Sequence, residues 1–302
     1  MSVAITSTIP GEISLSRRLA GFVALTKPRI IELLLVTTLP TMIVAAHRLP
    51  GFGLMLATLA GGTMAAGGAN AVNMFVDRDI DAVMKRTRNR PLVTGVVTPP
   101  QALVFALALE AAAFVELWFT VNPLSAVLAV SAMLFYVFVY TLWLKRTSSQ
   151  NIVIGGAAGA VPVLVGWAAV RNDVAWAPVV LFALMFVWTP PHFWALAIRY
   201  REDYRSVDVP MLPVVTTFKR TAAQIFIYTV LVVATSLLFA VTARMGPLYW
   251  ASAVGLGAVF LAMALRLWQR PTEAQAMRLF HWSITYVTLL FAAMAVDQLI
   301  FH

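Results

Sequence analysis

Charged residues fall in short clusters along this chain, and apolar runs of about twenty residues separate them. The runs lie roughly at 30–47, 52–76, 101–120, 123–143, 151–170, 174–198, 221–243, 247–268 and 279–301. Each is close to the ~20 residues that a helix needs to cross the hydrocarbon core of a bilayer. The pattern therefore predicts an all-α, polytopic membrane protein with nine transmembrane helices. No linker is long enough to separate two soluble domains, so residues 1–302 read as one integral-membrane domain, with 1–20 as a flexible N-terminal segment. The two longest loops, between spans two and three and between spans six and seven, lie four spans apart. That spacing suggests two similar four-helix halves and a ninth helix.

The bases alternate in step with these runs. Counting them by side puts 19 of the 22 Lys and Arg residues on one side and only Arg48, Arg171 and Arg244 on the other. A missed span would scramble this asymmetry. By the positive-inside rule it places the N-terminus in the cytoplasm and the C-terminus outside.

Composition agrees. The chain is 61% hydrophobic and 12% charged, with a mean hydropathy of +0.84, where a soluble domain carries about 25% charged residues. A net charge of +9 would suit nucleic acid, but the bases sit in short loops between apolar runs, which argues against it. The absence of cysteine excludes disulfides, thiol catalysis and Cys-type zinc sites. The first sixteen residues hold no Lys or Arg, unlike a signal or transit peptide. Small residues crowd "GGTMAAGGANA" in span two and "GGAAGA" in span five, which suits close helix packing or backbone approach to a ligand.

The stretch "NAVNMFVDRDIDAVMKRTRNRPL", 70–92, gathers both signs of charge at the end of span two. Asn73, Asp77 and Asp81 are spaced i, i+4, i+8, so a helix continuing past the membrane surface would carry them on one face, with Asp79 off it. One amide oxygen and two carboxylates suit Mg²⁺, which keeps positions for water and substrate phosphates. Arg78, Lys85, Arg86, Arg88 and Arg90 follow. Arginine grips phosphate oxygens with a fork, and lysine supplies a point charge. Metal plus polyphosphate at the mouth of an apolar bundle points to a lipid diphosphate, whose ionisation leaves an allylic cation that must be kept from water. The plainer alternative is that the bases set topology and the acids pair with them.

The loop after span six, "WTPPHFWALAIRYREDYRSVDVPMLPVV", should form the facing wall. Pro190 and Pro191 are expected to interrupt the helix, with His192 next and Arg199, Arg201, Glu202, Asp203 and Asp208 beyond. Asp203 is the candidate second carboxylate facing the first motif. Glu110 and Glu116 lie inside span three with no evident partner.

"NMFVDRDIDAVMKRTRNRPL" resembles the N-x-x-x-D-x-x-x-D motif, and the basic run after it, of the UbiA-type intramembrane prenyltransferases. The blocks at 25–40, 140–170 and 188–215 resemble the haem-farnesylating branch of that family, and the similarity runs from about residue 20 to the C-terminus. The resemblance implies a nine-helix bundle with a lateral cavity in a bacterial plasma membrane. It implies transfer of a farnesyl group from farnesyl diphosphate to the vinyl group of haem B, with addition of water and release of diphosphate. The product, haem O, would serve terminal oxidases, and haem A synthase or oxidase-assembly proteins are the implied partners. Haem B is then a substrate and Mg²⁺ the cofactor.

Position by position, the resemblance gives Asn73, Asp77 and Asp81 to Mg²⁺–diphosphate. It gives Arg86 and Arg90 to the phosphates, and marks Lys27, Arg29, Lys145 and Arg146 as further basic blocks on that side. Quinone-type relatives carry an early aspartate where this chain has His192 and Phe193. That departure argues against a symmetric two-magnesium site and suits a haem acceptor, with His192 toward its iron or a propionate. Three rivals stand beside this reading: prenylation of an aromatic quinone precursor, haem transport, and a purely structural assembly subunit.

Overall fold

A computed structural model describes residues 14–301, apart from the side chains of residues 29, 30, 33 and 34. The described residues are helical throughout, with no strand among them. The first helix, α1 (Leu15–Thr26), is capped by Ser14 and ends where Lys27 takes a left-handed φ of 54°. Within the segment expected to be flexible, residues 15–20 are helical, and residues 1–13 lie outside the described part. Pro28 then opens α2 (Pro28–Ala46) at a position where its missing N–H costs nothing.

The chain continues as α3 (Phe52–Val76), α4 (Arg78–Val83) and, after a turn-rich loop, α5 (Pro99–Thr120). Next come α6 (Pro123–Leu134), a π-helical segment (Phe135–Leu144) and α7 (Lys145–Thr147), continuous with one another. The remainder is α8 (Asn151–Arg171), α9 (Trp176–Arg199), α10 (Arg201–Arg205), α11 (Leu212–Val215), α12 (Phe218–Thr242), α13 (Pro247–Gln269) and α14 (Glu273–Phe301).

Among the described residues eight helices are long and apolar enough to cross a membrane, and Leu35–Ala46 within α2 is a shorter apolar helix. The eight coincide with predicted runs two to nine to within about six residues, and the shorter helix falls inside the first run. One local expectation fails: α9 runs unbroken through Pro190 and Pro191. A fixed proline φ is compatible with a helix; the cost is the lost N–H bond to the preceding turn and the crowding of the ring against that turn's carbonyl. Packing of α9 against α8, α12 and α14 holds the backbone in line.

The largest core lies between α8, α9, α12, α13 and α14, around Trp194, Phe239, Tyr249, Phe260, Tyr286 and Phe291. A second core joins α1, α3 and α5 through Leu25, Ala71, Met74, Ala102 and Ala106. The glycine-rich stripes serve packing. A Cβ on Gly68 would meet Glu110 and Ala106 of α5, and one on Gly156 would lie 2.9 Å from the Thr189 Cβ of α9. Buried Asp297 of α14 accepts the backbone N–H groups of Gly246 (2.6 Å) and Tyr249 (3.0 Å), so one helix caps the N-terminus of another.

Contacts distant in sequence tie the loops together at each end of the bundle. Lys27 reaches Asn73, Arg146 reaches Asp79, Arg86 reaches Asp203 and Arg199 reaches Glu273. At the other end His47 meets Gln298, and Asn122 meets the Ala168 carbonyl. The base-rich loops thereby converge on one end.

Candidate active site

The stripe forms as its spacing predicts. Asp77 stands between α3 and α4, yet the Asp77 N–H donates to the Asn73 carbonyl and the Asp81 N–H to the Asp77 carbonyl, both at 2.9 Å. These bonds carry the helical register through the junction and leave Asn73, Asp77 and Asp81 on one buried face. Asp79 points elsewhere, and its side chain is 59% exposed.

Every member of the stripe meets a base. Lys27 Nζ donates to Asn73 Oδ1 at 2.8 Å, Lys145 Nζ pairs with Asp77 Oδ2, and Arg90 Nη1 pairs with Asp81 Oδ2 at 2.5 Å. Asn73 Nδ2 donates to Asp77 Oδ2 (2.7 Å) and to Thr141 Oγ1 (3.3 Å), which fixes the amide orientation. Thr87 Oγ1 donates to the Asp81 carbonyl and anchors the loop that carries Arg90. One oxygen is left over: Asp77 Oδ1 is buried and accepts no hydrogen bond, with Arg146 Nη2 3.8 Å away. Arg146 instead clamps Asp79 with two bonds of 2.7 and 2.8 Å, and that clamp holds the Asp79 carboxyl well below its usual range.

Lys27 owes its place to its left-handed backbone and to Pro28. Desolvation of its ammonium lowers its pKa to about 7, helped by Arg90 and Lys145 and opposed by Asp77 and Asp81. Thr141 reaches the stripe from the π-helical segment, and Lys145 from the first position of α7 directly after it. There Lys145 N–H and Thr141 Oγ1 donate five residues back, to Tyr140 and Tyr136. This wide register is common at functional sites, and in it Tyr136 and Tyr140 stack at 5.4 Å. Gly155 of α8 makes room for the Tyr140 ring.

The Asp203 carboxylate accepts the backbone N–H of Arg86 at 3.0 Å and so ties the loop after α9 to the loop after α4. The Arg86 guanidinium lies over Tyr200 (5.3 Å) and Tyr204 (6.0 Å). Among the described residues no three Asp, Glu or His converge as a metal cage, so Asp203 does not complete one with Asp77 and Asp81. The Arg29 side chain lies outside the described residues. Glu110 packs on Gly68, and Glu116 accepts from Thr120; neither contacts the stripe.

His192 occupies a separate place. Its buried ring lies between Trp188 (4.3 Å) and Phe280 (4.7 Å), with Phe193 edge-on. Ser283 Oγ donates to the Phe280 carbonyl at 2.7 Å, so it must accept from His192 Nδ1 at 2.8 Å. That assigns the proton to Nδ1 and leaves the Nε2 lone pair free for a ligand. No hydrogen bond or ion pair joins His192 to the stripe.

Sequence reasoning missed Thr141, the Tyr136–Tyr140 stack, the Tyr200–Tyr204 seat of Arg86, and Ser283. Hydropathy cannot distinguish a π segment from an α-helix. Only the aromatic richness of "FYVFVYTLWL" marked it.

Residues 34–285 match the UbiA prenyltransferase family. A protoheme IX farnesyltransferase of Streptomyces coelicolor is 52% identical over 298 residues, covering 97% of this chain and 95% of that one. Its counterpart in Leifsonia xyli subsp. xyli is 51% identical over 305 residues, covering 99% of each. Among solved structures, a digeranylgeranylglyceryl phosphate synthase superposes with a TM-score of 0.78 at 17% identity, covering 93% of this chain and 99% of that one. A UbiA homologue from Archaeoglobus fulgidus bound to DMAPP and Mg²⁺ gives 0.64 at 14% identity, covering 91% and 99%. These structures share the fold.

Proposed function

Because the chain belongs to the UbiA prenyltransferase family, we propose that it transfers the farnesyl group of farnesyl diphosphate to the vinyl group of haem B. The C1–O bond of the farnesyl donor breaks, and the diphosphate leaves with the electron pair. Farnesyl C1 bonds to the terminal vinyl carbon, water adds at the inner carbon, and one proton is released. The names of the relatives at about half identity support this substrate pair.

The observation that carries the reading is the stripe itself: an amide and two buried carboxylates on one face, met by bases from three separate parts of the chain. Its donor set fits Mg²⁺, since the oxygens are hard and Asp77 Oδ1 is buried without a hydrogen-bond partner. Asn73, Asp77 and Asp81 would hold the metal, and when bound it supplies charge neutralisation for the departing diphosphate. Lys27, Arg86, Arg90, Lys145 and Arg146 bind and orient the diphosphate. Asp203 positions Arg86. His192 serves the acceptor through the Nε2 lone pair, toward haem iron. The bundle has nine crossings, with the N-terminus and the site on the cytoplasmic side of a bacterial plasma membrane.

Purified protein in nanodiscs, given farnesyl diphosphate, Mg²⁺ and either haem B or 4-hydroxybenzoate, tests the acceptor. Mass spectrometry should find prenylated, hydrated haem and no prenylated acid. The reverse would assign the chain to quinone-type chemistry.

A further inference from the structure

The bases that meet the stripe have two uses that exclude each other. Lys145 lies on Asp77 Oδ2, Arg90 on Asp81 Oδ2 and Lys27 on Asn73 Oδ1, so each base holds an oxygen that a metal would need. The same bases are those assigned above to the diphosphate. The carboxylate side chains are 0% and 3% exposed, so a charge stripped of its partner there is not compensated by water.

We propose that Lys145 and Arg90 are exchangeable counterions, with Lys27 an exchangeable donor on the Asn73 amide, and that the site therefore takes a divalent cation and a diphosphate as one neutralised unit and discriminates against either alone. A lone cation on Asp77 and Asp81 strands two bases. A lone diphosphate draws the bases away and strands two carboxylates. Taken together, the bases pass to phosphate oxygens and the carboxylates to the metal, so no charge is left unpaired. Asp77 Oδ1 is the oxygen from which the exchange begins, because it alone in the stripe's carboxylates is buried without a hydrogen bond. Asp79 helps by holding Arg146 in its two-bond clamp, 3.8 Å short of that oxygen. The coupling is reciprocal, as any linkage between two ligands must be.

This inference rests on the metal–diphosphate reading above. Its test is Mn²⁺ binding to the full chain in nanodiscs, followed by electron paramagnetic resonance without any diphosphate. Removing a competing base by Lys145→Met should tighten Mn²⁺ at least about threefold. Binding of farnesyl thiodiphosphate at saturating Mn²⁺ should weaken by at least about tenfold in the same variant. Arg90→Met, acting on the other carboxylate, should move both in the same two directions and stands in if the first variant misfolds. Opposite signs are the signature, because a merely structural base would weaken both. If the parent binds Mn²⁺ and the variants bind it no better, the exchange is wrong and the metal reading survives. If the parent binds no Mn²⁺ with or without the thiodiphosphate, both fall.

Discussion

At the residue scale, burial separates the three aspartates more sharply than spacing does. Asp77 and Asp81 are enclosed and paired, whereas Asp79 is exposed and occupied with Arg146. Asp77→Asn or Asp81→Asn should lower kcat by at least about a hundredfold while the helical circular dichroism persists. Asp79→Asn should cost only severalfold; equal losses at all three would contradict the face assignment. Lys27 yields a pH prediction. Its folded pKa of about 7 means that it loses its proton as pH rises above that value, so anion binding must then carry a proton in with it. Affinity for farnesyl thiodiphosphate should fall by up to about tenfold per pH unit above pH 7. Lys27→Arg keeps its charge and should show a flatter profile. Parallel profiles would remove Lys27 from the diphosphate.

At the scale of elements, the π-helical segment is the least ordinary part of the fold; it carries Thr141, and Lys145 follows at its C-terminal end. Gly155 is what admits its Tyr140 ring, because a Cβ there would run into the ring atoms. Gly155→Ala should reduce activity by at least about tenfold through displacement of the segment. Gly159→Ala, where a Cβ meets nothing within 4 Å, should be neutral. Activity assays on both at equal membrane content decide this. The contrast also shows what was legible beforehand. The stripe could be read because a helical period fixes i, i+4, i+8 whatever surrounds it. The π register could not, because it is set by how Tyr140 and Lys145 pack against α8 and the stripe, which is tertiary information. Pro190 and Pro191 misled for the same reason: local propensity favours a break, and packing on three neighbouring helices overrides it. The plainer reading of acids pairing with bases also proves literally true of Asp77 and Asp81, and that pairing is the basis of the exchange argued above.

At the scale of the molecule, hydropathy anticipated the helices, and the charge asymmetry anticipated that the base-rich loops gather at one end of the bundle. The cap formed by Asp297 could not be anticipated, since it joins residues some fifty positions apart. Asp297→Ala should destabilise the bundle by about 1–2 kcal/mol and lower the temperature of thermal inactivation. It should leave KM for farnesyl diphosphate unchanged, because the cap lies at the end of the bundle opposite the stripe. A raised KM with unaltered thermal stability would show that this end contributes to the site. The central claim is chemical, and its most direct test is mass spectrometry of haems extracted from cells that make haem B and farnesyl diphosphate but no farnesylated haem. Expression of this chain should add a haem heavier by one farnesyl group and one hydroxyl group, and expression of Asp77→Asn should not. Haem B alone in the presence of the folded parent protein, or the same heavier haem at parental levels with Asp77→Asn, would contradict the account.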